Sequence, residues 1–363
     1  RQAPKRQPEL QVVEQPSPEP PPVRPLRLGV TPAEGAFDDM GRLLDSLGEG
    51  YRYHVFPLED LRDPNKIAEF DVIFLTCSGV PVSWLGKRIG AGERANTDVY
   101  EPNRKVLGEV SDALEKFVAR GGTLYASDLH YKLIMPAFED YARPSDAIVG
   151  KKQDVKAQVV DPGLRELVGA EMPLRFDQPG WYPAAFAGEK LTTYLRGTYQ
   201  PEAGGEREAA FLVKFPYRDG AVIFTSFHNE KQNSETELAL LRYLVFSAVT
   251  AEVESRVQRT MVRGGFSPAK QNLFSASAGQ ASATTVYHAD QGGHLQFVLG
   301  FRNLGAQLKL TVVGPGGRKF EKQGASTLTV DVPDAAAGDW EYTVTALKLP
   351  NENFPFTVTV GRK

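Results

Sequence analysis

The sequence predicts an α/β domain built on a mainly parallel sheet with helices on both faces, followed by an all-β sandwich. Three patterns carry that expectation. Between residues 26 and 250, short apolar runs alternate with segments whose apolar residues recur at helical spacing. One run, Asp71 to Cys77 (DVIFLTC), is apolar almost throughout, as suits a central strand covered from both sides. From about residue 284 the period switches to two, with turn residues between the runs.

Residues 1 to 25 read as a tether. Pro4, Pro8, Pro16, Pro18, Pro20, Pro21, Pro22 and Pro25 alternate with charged and glutamine residues, and no apolar periodicity is present. Such a segment buries too little surface to offset the entropy lost on ordering. It is either a spacer from a membrane or larger assembly, or a plain disordered tail. Leu26 to Val30 is then a short strand, and Phe37, Met40, Leu43, Leu44 and Leu47 form a helical stripe. Tyr51 to Phe56 and Asp71 to Cys77 are the next strands. Val106, Val110, Leu114, Phe117 and Val118 mark a helix stopped by Gly121-Gly122, and Thr123 to Ser127 (TLYAS) is a fourth strand.

An irregular, proline-rich stretch leads to three more strands, Leu191 to Tyr199, Ala209 to Phe215 and Ala221 to Phe227. Ser234 and Glu237 make a capping box at the head of a helix carrying Leu238, Leu241, Leu244, Val245 and Ala248. This alternation implies right-handed crossovers, with ligands at the carboxyl ends of the strands, just after Leu75, Ser127 and Phe227. Residues 251 to 283 read as a connector ending in the small-residue stretch Ser275 to Ala283, and residues 284 to 363 as the sandwich. There Leu308, Leu310 and Val312, then Trp340, Tyr342 and Val344, then Phe354, Phe356, Val358 and Val360 each occupy alternate positions. Turn signals at Gly314-Pro315-Gly316-Gly317 and Ala337-Gly338-Asp339 bring the count to about seven strands.

Composition sets limits on function. At 363 residues the chain exceeds the roughly 250–300 that one hydrophobic core serves. A formal charge of −3, with basic and acidic residues interspersed, leaves no footprint for nucleic acid. Cys77 is the only cysteine, so an intrachain disulfide and a multi-cysteine metal site are both excluded. No apolar run approaches the roughly 20 residues of a membrane helix. The chain begins at Arg1 rather than methionine, which raises the expectation of an upstream signal peptide or anchor.

The segment Gly220 to Glu230 (GAVIFTSFHNE) resembles the end of class I glutamine amidotransferase-like domains, where a strand runs into Phe-His-x-Glu. Phe227, His228, Asn229 and Glu230 match that motif. Upstream, GGTLYASDLHYKLI lies where the family places the strand and sharp turn bearing its nucleophilic cysteine. DPGLRELVG, Trp181-Tyr182 and YRDGAVIFTSFH are most similar to the trehalose-utilisation-like branch. The resemblance spans residues 26 to 250 and implies a flavodoxin-like sheet.

The resemblance also implies roles: Glu230 orients His228, and His228 activates a cysteine on a strained elbow. That cysteine is missing, and Ser127 or Asp128 stands in its place. An elbow needs small residues two positions to each side. Ser127 has Tyr125 and Leu129 there, and Asp128 has Ala126 and His130, so neither is a good nucleophile elbow. Cys77 follows another strand, where the family places oxyanion-hole backbone, and its bland reading is a buried small hydrophobe. Ser127 reads equally as a strand-end hydrogen bonder, and His228 with Glu230 as an inherited structural pair. Asp128, His130, His228 and Glu230 are candidate ligands for a divalent metal if they converge. Trp84, Trp181 and Tyr182 are candidate stacking platforms at the crevice, or else packing under loops.

The leading expectation is therefore a non-catalytic binding or assembly module with a degenerate amidotransferase-like domain and no cofactor. The alternatives are a hydrolase or sugar-modifying enzyme using His228 and Glu230, and a carbohydrate-binding protein. A protein or carbohydrate partner is expected. The sandwich strands GDWEYTVT and FPFTVTVG resemble pre-peptidase C-terminal and other immunoglobulin-like modules of secreted bacterial proteins. With the tether, they point to a periplasmic or cell-surface location, with the cytoplasm as the alternative.

Overall fold

A computed structural model describes residues 25–34, 36–90, 99–232, 234–277 and 284–363. The tether expected over residues 1 to 25 lies, except for Pro25, outside the described residues. In chain order the first domain runs β1 (Leu28–Val30), α1 (Met40–Asp45), β2 (Tyr53–Val55), α2 (Pro64–Ile67), β3 (Val72–Leu75), β4 (Leu85–Gly90), β5 (Val99–Pro102), α3 (Arg104–Ala119), β6 (Thr123–Ser127) and α4 (Tyr131–Ile134). It continues with β7 (Gln153–Val159), α5 (Pro162–Val168), β8 (Glu171–Phe176), β9 (Thr192–Tyr199), β10 (Arg207–Tyr217), β11 (Gly220–Thr225) and α6 (Glu235–Arg263).

Nine of these strands form one sheet in the order β2-β1-β3-β6-β11-β10-β9-β7-β8. The first five are mutually parallel, and β10, β9, β7 and β8 continue antiparallel. Alternation splits the core into two layers. Val72 and Phe74 pack with α1 and α6 on one face, while Ile73 and Leu75 pack with α3 on the other. The helix starts follow local chemistry. Asp39 caps α1, Asn103 caps α3, and Ser234 with Glu237 closes the capping box of α6. Gly121, at φ 109°, takes the left-handed turn that ends α3 and starts β6.

Several expectations change. Phe37 lies before α1 rather than on its stripe, and is 46% exposed. The stretch read as irregular contains β7 and β8, whose residues alternate buried and exposed. The connector is not one. The helix α6 runs on to Arg263 because Val253, Val257 and Met261, spaced by four, pack against Phe266 and Val298. Beyond it β12 (Ser267–Ala276) is an edge strand of the sandwich, too polar to show alternation. Residues 278–283 of the expected connector lie outside the described residues.

The C-terminal domain adds β13 (Thr284–Ala289), β14 (Gly293–Gly300), β15 (Gln307–Val313), β16 (Lys319–Gly324), β17 (Leu328–Ala335), β18 (Gly338–Lys348) and β19 (Phe354–Arg362). Its eight strands form two antiparallel sheets, β12-β19-β14-β17 and β13-β18-β15-β16, one more strand than the turn signals suggested. Phe297, Leu310, Val330, Trp340, Tyr342, Phe356 and Val358 fill the space between them. Polar contacts tie the domains together: Tyr51 Oη donates to Asn353 O (2.6 Å) and Arg302 Nε to Val249 O (2.7 Å).

Candidate functional site

Strand β6 ends at Ser127 in extended conformation, and the chain then turns sharply through Asp128 into a short 3-10 turn and α4. Asp128 sits at φ 46°, in the left-handed region that few side chains other than Asn and Asp adopt readily. This strand–turn–helix is an elbow, and Asp128 occupies its apex. The carboxylate is buried and fully engaged. Tyr182 N–H donates to Oδ1 at 2.9 Å, while Oδ2 faces His228 Nε2 at 3.1 Å and the Cys77 thiol at 3.6 Å.

His228 follows β11, and its second nitrogen, Nδ1, lies 2.7 Å from Asp177 Oδ1. With a carboxylate at each nitrogen, the imidazolium form satisfies both contacts by donation. Burial alone would lower the His228 pKa, but the hydrogen bond to Asp128 and the charges of Asp128, Asp38 and Asp177 together outweigh it and raise it. Asp38 is itself raised by burial, against backbone N–H groups of Glu230, Asn229 and Asp39 that favour its charge. The Cys77 thiol is pushed well up, first by burial and then by the Asp128 charge.

The remaining sequence candidates are placed elsewhere. Among the described residues Glu230 makes no hydrogen bond or ion pair with His228. Its carboxylate pairs with Lys231 and, at 3.8 Å, with Arg42, both outside the cluster. Asp177 occupies the orienting position instead. His130 is buried with Nδ1 3.2 Å from Leu75 O and Nε2 3.5 Å from Ser78 Oγ, and burial lowers its pKa to about 4. Ser127 Oγ is buried and lacks a hydrogen-bond partner among the described residues.

Of the aromatic candidates only Trp181 lines the crevice, and it is buried there rather than exposed as a platform. Trp84 is 1% exposed and packs in the α3 layer. Trp181 stacks on Phe176 (3.8 Å between ring centroids) and donates to Lys151 O. Tyr182 is half-buried, its ring stacked on Tyr131 and approached by Lys132 Nζ at 5.4 Å.

The site is closed. The crevice between Asp128, Phe176, Asp177, Trp181, Ser226 and His228 is too narrow for a water molecule. Phe37 lies over His228 with near-parallel rings whose centroids are 6.3 Å apart. A more open hollow of about 250 Å³ lies between α1 and the head of α6, lined by Arg42, Leu43, Glu230, Leu238 and Leu241. Sequence reasoning missed Asp177 because it missed β8. That strand runs in the same direction as β11, so its last residue, Phe176, delivers Asp177 to the same sheet edge.

No protein-family model and no curated protein matches the chain. Among solved structures it is similar to a ThuA-like protein from Bacteroides uniformis, at 10% identity and TM-score 0.42 over 65% of this chain and 96% of that one. It is also similar to a glutamine amidotransferase from Thermotoga maritima, at 10% identity and TM-score 0.34 over 66% and 94%. A β-galactosidase from Bacillus circulans sp. alkalophilus matches 87% of this chain with 41% of its own, at 9% identity and TM-score 0.30. None of these scores reaches 0.5, so the chemistry of the site rests on its own geometry.

Proposed function

We propose that the α/β domain is a non-catalytic, degenerate amidotransferase-like module that serves binding or assembly together with the sandwich, outside the cytoplasm. One observation carries this reading: the elbow persists, but its apex residue is Asp128, and both carboxylate oxygens are engaged inside a crevice that admits no water. Acyl transfer from an amide needs a nucleophile, a base and oxyanion donors within about 3 Å of one reacting carbon. Here the base position is held by a histidine clamped between two carboxylates, a setting that favours its protonated form. The burial of Trp84 and Trp181 weighs against a carbohydrate platform at this edge. Location outside the cytoplasm rests on the proline-rich tether and the appended sandwich alone.

A hydrolase is the second reading, favoured by the line Asp177–His228–Asp128 at an elbow. In it, an Asp128 oxygen would attack the acyl carbon of an amide or ester and expel the amine or alcohol, which takes a proton from His228, leaving a mixed anhydride that water hydrolyses to free acid and Asp128. One assay decides between the two. Glutamine, amide and ester turnover is measured on wild type and His228→Ala. Turnover by wild type that is abolished in the variant overturns the non-catalytic reading. Its absence from both supports that reading.

A further inference from the structure

The buried cluster at the elbow has the makings of a coordination site. Cys77 Sγ lies 3.6 Å from Asp128 Oδ2, which lies 3.1 Å from His228 Nε2, and all three atoms fall within 4.8 Å of one another. Donors around a tetrahedral ion with bonds of roughly 2.0–2.3 Å stand about 3.3–3.8 Å apart. Small displacements separate the cluster from such a shell. A thiolate, a carboxylate and an imidazole are also the donor types zinc takes.

The groups behind the donors fit as well. A ligating histidine usually gives its other N–H to a carboxylate, which fixes the ring. His228 does so with Asp177 at 2.7 Å. The second oxygen of Asp128 is held by Tyr182 N–H at 2.9 Å. A separate observation points the same way. Ser226, fully buried, lines the crevice beside Asp128 and His228, and its hydroxyl has no hydrogen-bond partner among the described residues.

We propose that Cys77, Asp128 and His228 form a three-ligand site for a zinc-class divalent transition-metal ion, with Asp177 as the residue positioning His228. The donor set differs from the one the sequence suggested. Cys77 enters, while His130 and Glu230 are bonded elsewhere. On binding, the thiol proton and the proton on His228 Nε2 leave to solvent, and the metal takes the two freed lone pairs and one from Asp128. The site goes beyond the proposed function, because an ion at a closed centre neither requires nor forbids turnover.

The test uses the full chain, stripped with a chelator and titrated anaerobically with cobalt(II). The expected result is one equivalent bound, an intense near-ultraviolet thiolate-to-cobalt band and visible bands of tetrahedral strength. Cys77→Ser should remove the thiolate band, and Asp177→Asn should weaken binding about 10- to 100-fold. Glu230→Gln should change neither. A wild-type titration without the thiolate band overturns the proposal, and that reading needs no variant to fold. The same band in Cys77→Ser overturns it too. Either failure leaves the turnover assay unaffected, so the two readings fail separately.

Discussion

Replacing Asp177 by alanine separates two assignments of the acid behind His228. The Phe-His-x-Glu motif assigns that role to Glu230, whereas the geometry assigns it to Asp177. Asp177 Oδ1 is 2.7 Å from His228 Nδ1, and the two side chains are 15% and 4% exposed. A hydrogen bond between charged groups contributes about 1.5–3 kcal/mol, and partial access of water to Asp177 places this one near 2 kcal/mol. For a domain of 150–250 residues each kcal/mol shifts the melting midpoint by about 2–4 °C, so Asp177→Ala should lose about 4–8 °C. Glu230 pairs with an Arg42 side chain that is 76% exposed, and such pairs contribute about 0–1 kcal/mol. Its backbone N–H keeps its bond to Asp38 whatever the side chain, so Glu230→Ala should move the midpoint by less than about 4 °C. The assay is thermal unfolding in chelator-containing buffer, followed by the fluorescence of the buried Trp84 and Trp181. A shift under about 1 °C for Asp177→Ala, or a Glu230→Ala shift that exceeds the Asp177→Ala shift, would refute the assignment.

Other predictions follow from the same structure. Cys77 is buried and its thiol pushed well up, so a thiol reagent should label it slowly in the native protein and rapidly in denaturant; fast native labelling contradicts this. Lys214 on β10 donates to Glu254 on α6 at 2.7 Å with both side chains nearly buried, so Glu254→Ala should cost about 3–5 kcal/mol in a urea titration. A loss under 1 kcal/mol would place water at that pair. Asp161 caps α5 through Leu164 N–H, and burial raises its pKa above 3.8 despite that bond. Its folded pKa thus exceeds its unfolded one, so wild-type stability falls as pH rises through that window. Asp161→Asn should therefore gain midpoint at neutral pH relative to wild type, with the gain vanishing below pH 3.8; an equal gain at every pH refutes it. Trp84, Trp181 and Trp340 are each at most 2% exposed, so iodide should quench little and saturating oligosaccharide should leave the spectrum unmoved.

What the sequence made legible follows the range of the interactions. The stripe of α3, the capping box Ser234–Glu237 and the buried run Val72–Leu75 are set by neighbours within a few positions, and each appears in the structure. The sandwich strands were legible for the same reason, since alternation is a local pattern. The losses occurred where tertiary contacts override local signals. β12 has only Asn272 and Ala276 buried and is held by its ladder with β19, which no local period reveals. The continuation of α6 to Arg263 was readable in Val253, Val257 and Met261, but that stripe is only three residues wide and faces the sandwich.

The site divides along the same line. The elbow was legible as a strand followed by a turn, and His228 as a strand-end histidine, because both depend on adjacent residues. What each contacts was not legible, because the contacts join four separate segments: Cys77 after β3, Asp128 after β6, Asp177 after β8 and His228 after β11. The motif placed Glu230 two residues from His228, where a strand would put both side chains on one face. The strand stops at Thr225, and the chain passes into a 3-10 turn whose N–H groups bind Asp38. That turn sends the Glu230 side chain toward Arg42 and leaves the Nδ1 face of His228 to Asp177. Asp38 thus decides which carboxylate meets the imidazole: by fixing the turn it removes the near one, and the register of β8 supplies the far one.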